Sequence, residues 1–564
     1  MSKKFFIGVA WPYVNGDLHI GHLAGYLLPA DIFARFQRLI GNDVLMVSGS
    51  DCYGTPITVE ADKRGITPEE LVNEYHPKDV ALFELYHISY DLYTKTTTPN
   101  NAKVVQDEFV ALVKNGYIYK DKTFQYYSDE EKRFLPDRYV EGTCPNCGYT
   151  EARSDQCDKC GKVLESGELK NPVSKLTKKL VAMKETENYF LDWPKLQPFL
   201  EKYIAEKGPQ WRTWEFEEAK GWLKRGLRPR AITRDMTWGV PIPVDELSIE
   251  YRISNIESKR IYVWFEAVTG YLSASKEWAL KNDQADLWKD WWYNEKSVHY
   301  YFMGKDNLVF HTLFWQGQLH GYDEKLHLPD VPIINNFLNL EGEKFSKSRG
   351  VTIDSLYIAE TYGVDPVRFY LTYIMPENSD ANFAWGDFVD FNNSILIGKF
   401  GNFINRVLKL AEKTALTTNF VLDKKLTVSI VRTFETTYSH LEKCELKLYA
   451  QSIIELSEAG NKYVAEKEPW RLKKDSEEYK AIISNALLVV LALLLITRPL
   501  IPVSNRKLKS MLGVDFEKWD RKVDVEDLIK KLAEIKITEP KPLFAKIDPE
   551  IIDKERTKIK ITKK

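Results

Sequence analysis

Phe5 to Val47 reads FFIGVAWPYVNGDLHIGHLAGYLLPADIFARFQRLIGNDVLMV, and the alternation within this stretch decides the fold. Phe5 to Ala10 is a short β-rich run, followed by turn-forming residues from Trp11 to Gly16. Leu23, Leu27, Phe33, Phe36 and Ile40 then recur near helical spacing, and Gly41 supplies a stop. Asp43 to Val47 begins a second strand. This order predicts the first unit of a doubly wound parallel sheet, whose ligands settle at the carboxyl ends of the strands. The dinucleotide fingerprint G-x-G-x-x-G is missing from the first turn, which argues against a nicotinamide or flavin cofactor.

The same stretch carries His19-Ile20-Gly21-His22 where a strand passes into a helix. Unpaired N–H groups and the helix dipole are expected to favour phosphate there, with Gly21 allowing close approach and His19 and His22 donating hydrogen bonds. A second motif, Lys344-Phe345-Ser346-Lys347-Ser348, follows the turn-like Glu341-Gly342-Glu343. Lys344 and Lys347, three apart on a loop, can close over a triphosphate and neutralise a departing pyrophosphate. Taken alone, the first motif is also what ordinary helix-start histidines look like, and the second is also a solvated charged loop. Their joint presence points to nucleotide chemistry.

A chain of 564 residues predicts several domains, and 44% hydrophobic with 28% charged residues is the composition of globular proteins. Lysine plus arginine (79) nearly balances aspartate plus glutamate (81), so any nucleic-acid binding must rely on local patches. The start has no signal-peptide pattern, and the longest apolar run, Ala486 to Ile496, is too short for a bilayer span and is expected to be a buried helix. Cys144-x-x-Cys147 and Cys157-x-x-Cys160 offer four thiolates from two tight turns, the spacing of one closed, structural Zn2+ site per chain. Cys52 and Cys444 are expected to be small buried residues.

The expected architecture is α/β, a Rossmann-type doubly wound sheet with a zinc-binding insertion, followed by an all-α helix bundle. Residues 1–115 and 233–335 would form the two halves of the sheet domain, with Ile261 to Phe265 and Val298 to Phe302 as strands. Residues 116–232 would be the insertion, 336–387 the region of the lysine loop, 388–545 the bundle, and 546–564 a tail whose basic end, Lys554 to Lys564, is expected to be solvated and frayed.

HIGH at His19–His22 and KFSKS at Lys344–Ser348 resemble the signatures HIGH and KMSKS of the class I aminoacyl-tRNA synthetases, with Phe345 in place of methionine. Further stretches are similar to the methionyl-tRNA synthetase family over nearly the whole chain: WPYVNG from Trp11, DCYGTPI from Asp51, FLPDR from Phe134, Tyr262-Val263-Trp264, Gly304-Lys305-Asp306 and Asn461-Lys462-Tyr463. The clustered cysteines and the missing signal pattern and span lead us to expect a cytoplasmic protein without membrane attachment, and a chain that stops soon after the helical part leads us to expect a monomer. The resemblance implies a methionine–tRNA ligase acting on L-methionine, ATP with Mg2+, and tRNA(Met). It also implies a methionine pocket of Trp11, Tyr13, Trp264, Ala267, Val268, Tyr271 and His311, which suits a thioether that must be selected by shape and aromatic contact. Asp51 would hold the α-ammonium and Arg234 would orient that carboxylate. The helical end would bind the anticodon through Asn402, Arg406 and Trp470, and the zinc-bearing insertion would approach the acceptor stem.

Overall fold

The computed structural model describes residues 2–559 except 137–138, 155–156, 158, 161, 163, 165–166, 255, 346–349, 475 and 522–523. Five strands make the central sheet: β1 (Lys4–Val9), β2 (Asp43–Ser50), β3 (Leu92–Lys95), β4 (Val298–Gly304) and β5 (Val331–Asn335). They lie in the order β5-β4-β1-β2-β3 and every neighbouring pair is parallel. β1 and β2 are buried beyond their first residues, as expected of a sheet covered on both faces. The strand order reverses between β1 and β4, and a crevice opens at such a point because the two following chain segments diverge.

After a non-helical segment over 10–19, the link from β1 to β2 is one continuous helical stretch, α-helical at Ile20–His22, π-helical at Leu23–Leu27 and α-helical again at Leu28–Leu39. Gly41 ends it at φ +88°, a conformation that favours glycine. Ile261 to Phe265, expected as a strand, divides instead: the strand Lys259–Ile261 ends there and the helix Val263–Lys281 starts two residues later. An apolar run of five residues, buried except at Trp264, is too short for its periodicity to distinguish the two states.

The expected insertion opens with a long antiparallel pair, Ile118–Ser128 with Ala182–Leu191, extended at one edge by Arg230–Ala231. Beyond it, a small sheet of Val140–Thr143, Ala152–Arg153 and Lys170–Ser174 carries the cysteines. The helices Trp193–Lys207 and Thr213–Arg225 pack into one core with Phe109, Phe265 and Phe314, so this end of the insertion is continuous with the sheet domain.

The C-terminal half is helical, built on Asn402–Ala411, Lys424–Glu442, Leu446–Lys467 and Glu477–Ile496. Ala486 to Ile496 is buried throughout, and its 20-residue helix, apolar enough by composition to cross a membrane, forms the centre of the bundle. The bundle shares one hydrophobic core with the sheet domain. Arg368, fully buried, ties the two together: it donates to Asp31 Oδ2 at 2.7 Å behind the first motif and to the carbonyls of Tyr86, Pro499 and Leu500. As far as the described residues run, the end expected to be frayed is docked, and residues 560–564 lie outside them. The helix Ile551–Lys558 docks through Glu555, buried and accepting from Tyr357 and Tyr362, and through Arg556, which pairs with Glu341 at 3.2 Å. Arg556 meets Glu341 and Lys558 meets Tyr357, partners that only the tertiary fold brings near.

Candidate active site

A cavity of about 460 Å³ opens at the carboxyl ends of β1 and β4, where the strand order reverses. His19 caps the first helical turn. Its Nδ1 accepts from the Gly21 N–H at 3.1 Å, and its own N–H donates to His22 Nδ1 at 3.1 Å. A neutral His19 therefore carries its proton on Nε2. The expectation of unpaired N–H groups at this turn needs correction, because Ile20 N–H donates to the Ile353 carbonyl and Gly21 N–H is taken by His19. What this turn leaves to meet an anion is its imidazoles, Lys344 and the helix dipole.

The lysine loop is anchored on the same turn from both sides. Leu338–Leu340 and Glu343–Lys344 pair as a hairpin whose two turn residues, Glu341 and Gly342, have φ of +50° and +84°. That is the primed two-residue turn, and it delivers Lys344 and Phe345 to the cavity. Phe345 stacks on His19, and on the far side of the loop the segment at Ile353 and Asp354 pairs with His19 and Ile20. Lys347 lies outside the described residues.

The apolar half of the cavity contains Trp11, Tyr13, Ala267, Val268, Tyr271 and His311, as expected, with Trp264 at the rim, 41% exposed. Trp11 fits because Gly49 and Gly270 flank it. A Cβ on either would come within 2.2 and 2.8 Å of the indole. His311 Nδ1 lies 3.0 Å from the Asn307 carbonyl, which can only accept, so Nδ1 carries the proton and the Tyr271 hydroxyl donates to Nε2 at 2.7 Å. Burial keeps His311 neutral, lowering it to about 4. Two polar rings are thereby locked together with their hydrogen-bonding groups turned toward each other.

Asp51, 4% exposed at the end of β2, lines the cavity and accepts from the Tyr53 N–H at 3.3 Å. Burial pushes its carboxyl up to about 8. Glu266, fully buried, is pushed well above the carboxylate range by burial and then by the charge of Asp51. A cation at Asp51 would relieve that cost. Arg234 does not supply it. Its guanidinium donates to the carbonyls of Ala231 and Thr233 and lies 4.4 Å from the Tyr262 ring, because its short strand Thr233–Asp235 pairs with Lys259–Ile261 and fixes it there.

Tyr26, Phe310, Asn307 and Asn336 also line the cavity, and no motif marks them in the sequence. Tyr26 lies one turn after His22, a spacing that could have suggested it. Asn336 follows β5, where polar residues at a strand end invite attention.

The four cysteine sulfurs lie within 4.8 Å of one another. Cys144 to Cys160 is 3.8 Å and Cys147 to Cys157 is 3.6 Å. Four sulfurs at about 2.3 Å from a central Zn2+ stand about 3.8 Å apart in a tetrahedron, so the set fits the ion. Gly148, at φ +72°, turns the first knuckle, whereas Gly161 lies outside the described residues. Cys52 and Cys444 are buried singly, as expected.

In the bundle, Asn402 is exposed, and Arg406 donates to Asn461 Oδ1 at 2.6 Å. Trp470 follows the helix Leu446–Lys467 through Glu468, at φ +42°, and is 52% exposed. It is not a core tryptophan.

A family model described as tRNA synthetases class I (M) matches residues 5–408, and one described as the anticodon binding domain of methionyl tRNA ligase matches 417–563. Among curated proteins, the methionine–tRNA ligase of Roseiflexus sp. (strain RS-1) is 44% identical over 526 residues, covering 91% of this chain and 87% of that protein. That of Dehalococcoides mccartyi (strain CBDB1) is 41% identical over 575 residues, covering 99% and 100%. The solved structure of Mycobacterium tuberculosis methionyl-tRNA synthetase in complex with methionyl-adenylate superposes with a TM-score of 0.76 at 22% identity, covering 96% of this chain and 99% of that one.

Proposed function

This chain belongs to the class I methionyl-tRNA synthetase family, a family of methionine–tRNA ligases, and on that premise we propose how its residues divide the work. Trp11, Tyr13, Ala267, Val268, Tyr271 and His311 form the slot for the methionine side chain, and Trp264 closes its mouth. The Tyr271–His311 pair spends its hydrogen bonds internally, so the slot offers a thioether shape and aromatic contact. Asp51 receives the α-ammonium.

In the first step the methionine carboxylate attacks the α-phosphorus of ATP, the bond to the β-phosphate oxygen breaks, and pyrophosphate leaves. His19 and His22 donate to phosphate oxygens, and Lys344 and Lys347 balance the charge of the leaving group. Mg2+ on the phosphates supplies further positive charge. In the second step a ribose hydroxyl at the 3′ end of tRNA(Met) attacks the methionyl carbonyl and AMP departs. No covalent enzyme intermediate is required, and positioning carries the chemistry.

Trp470, Asn402 and Arg406 meet the anticodon, the tryptophan by stacking on an exposed base. Cys144, Cys147, Cys157 and Cys160 hold one Zn2+, which supplies a fold-organising cross-link and no open ligand position. The enzyme works as a monomer in the cytoplasm.

The observation that carries this reading is one cavity in which the His19–His22 turn, Lys344, Asp51 and the aromatic slot all meet at the strand-order reversal. The test is charging of tRNA(Met) with methionine, leucine, isoleucine and valine in parallel. Methionine alone should give sustained charging. Equal charging with an aliphatic amino acid would overturn the slot.

A further inference from the structure

Arg212 opens the helix Thr213–Arg225 of the insertion, and its backbone N–H donates to Glu215 Oε2 at 3.2 Å. Its side chain, only 16% exposed, turns back into the molecule and joins three parts of the chain. Nη1 donates to the Ile334 carbonyl at 2.9 Å and to Asn335 Oδ1 at 3.1 Å, both at the end of β5. It also donates to the Glu377 carbonyl at 3.1 Å, and Nη2 donates to the Cys444 carbonyl at 3.3 Å, just before the bundle helix Leu446–Lys467. A planar fork of N–H groups can meet acceptors spread this widely, whereas a lysine ammonium presents its donors from one point.

Glu215, fully buried, completes the grip. Its Oε1 accepts from the Ile334 N–H at 2.9 Å and lies 3.8 Å from Nη1 of Arg212. Both polar backbone groups of Ile334 are therefore held by one arginine–glutamate pair. Burial pushes Glu215 up to about 7, and the charge of Arg212 opposes that shift.

The hold passes from β5 to the nucleotide turn through one side chain. Asn335 is fully buried, and with Oδ1 taken by Arg212 its Nδ2 donates to the Ala24 carbonyl at 3.1 Å. Ala24 stands two residues past His22, in the π-helical segment whose Gly25 and Tyr26 line the cavity. Asn336, the next residue after β5, lines the cavity too, and its N–H donates to the Pro376 carbonyl at 2.8 Å, beside Glu377. Arg212 itself is not among the residues lining the cavity. It reaches the chemistry from two hydrogen bonds away.

We propose that Arg212 is a positioning residue for adenylate formation, acting through Asn335 to fix the His22–Tyr26 turn against the end of β5. The inference rests on the ligase reading above and deepens it, because it names a residue outside the cavity on which activation depends. The methionine slot stands on Trp11, Tyr13, His311 and the helix Val263–Lys281, to none of which the Arg212 side chain donates. The effect should therefore fall on the rate of the chemical step and spare methionine binding. A displacement of about 1 Å in groups that meet the reacting atoms costs up to about a hundredfold in rate.

The test uses the full-length enzyme with methionine, ATP and Mg2+, following a single turnover of adenylate formation. Its amplitude counts folded sites, and its rate constant reads the chemistry in each. Arg212→Lys keeps a cation beside Glu215 but not the fork, and Asn335→Ala removes the link to Ala24. Each should lower the rate constant by about tenfold to a hundredfold, while the amplitude and the KM for methionine in pyrophosphate exchange stay within about twofold of wild type. The double variant should be no more than about twofold slower than the slower single variant, because both changes cut one path. A reduced amplitude with an unchanged rate constant would make Arg212 a residue of the fold alone, and losses that multiply in the double variant would separate it from Asn335. Either result overturns the proposal. Wild-type enzyme that forms no methionyl-adenylate would instead overturn the ligase reading, so the two failures are distinct.

Discussion

The ring of Phe345 lies parallel to the imidazole of His19, with 4.6 Å between centroids and 11° between planes. The two motifs are therefore in direct contact, and the Lys344–Phe345 end of the lysine loop is held over the first helical turn by an apolar face. An aromatic pair of this kind contributes about 0.5–1.5 kcal/mol beyond its burial. Phe345→Ala should lower pyrophosphate exchange by about threefold to tenfold, whereas Phe345→Met keeps a side chain able to cover the ring and should stay near wild type. Steady-state exchange at saturating methionine and varied ATP checks this, and equal losses in the two variants would remove the stack from the account.

Asp51 sets a pH dependence for methionine. Burial raises its carboxyl to about 8, and Glu266, raised further, stays protonated beside it. The folded chain thus holds a proton that the unfolded chain releases near 4, so the contribution to stability is fully present below that value and is lost as pH rises through about 8. Methionine binding runs the other way, because its ammonium needs the ionised carboxylate and expels the proton. Affinity for methionine should rise from pH 6 to 8 by up to about tenfold per unit. Titration calorimetry in buffers of different ionisation heat measures the released proton. Asp51→Asn should bind weakly with a flat profile, and a wild-type profile that is flat as well contradicts the assignment.

Zinc should be structural. Cys144 and Cys157 are buried in a small core with Tyr126, Tyr139 and Leu164, and this knuckle reaches the sheet domain through Tyr139, whose hydroxyl donates to Asp62 at 2.8 Å. Cys157→Ser or exhaustive chelation should abolish the one equivalent of zinc seen by elemental analysis. Charging of tRNA should fall by about tenfold or more while pyrophosphate exchange persists, since removing a structural zinc costs local folding energy and no catalytic ligand. Loss of exchange in proportion to zinc would put the metal in the chemistry.

Trp470 should act only on the RNA. Stacking on one base is worth about 1–3 kcal/mol, so Trp470→Ala should reduce kcat/KM for tRNA(Met) by about fivefold to a hundredfold. Its 52% exposure makes a folding defect an unsuitable explanation. Pyrophosphate exchange serves as the control, and a matching drop there would remove the tryptophan from the anticodon site.

Much of this site was legible in the chain because its signals are local. The run from Phe5 to Val47 fixes β1, the helix and β2 through periodicity alone, and the paired C-x-x-C knuckles declare their geometry by spacing. What was not legible depends on contacts distant in sequence. In sequence Phe345 is only an apolar residue in place of the signature methionine, and the hairpin at Glu341–Gly342 is what brings it onto His19. Arg234 carries a charge that would suit Asp51, yet the pairing of its strand with Lys259–Ile261 turns it toward Tyr262. The basic tail reads as solvated until Glu555 meets Tyr357 and Tyr362, and Arg556 meets Glu341. Ile261 to Phe265 differs for another reason: a five-residue apolar run, buried except at Trp264, is too short to show the period that separates strand from helix.

The central claim is that one cavity activates methionine with ATP, and exchange of labelled pyrophosphate into ATP across a panel of amino acids tests it most directly. Methionine should support exchange that His19→Ala and Lys344→Ala each reduce by about a hundredfold or more, the scale of losing one group that meets the transition-state charge. Exchange no faster with methionine than with no amino acid would contradict the account.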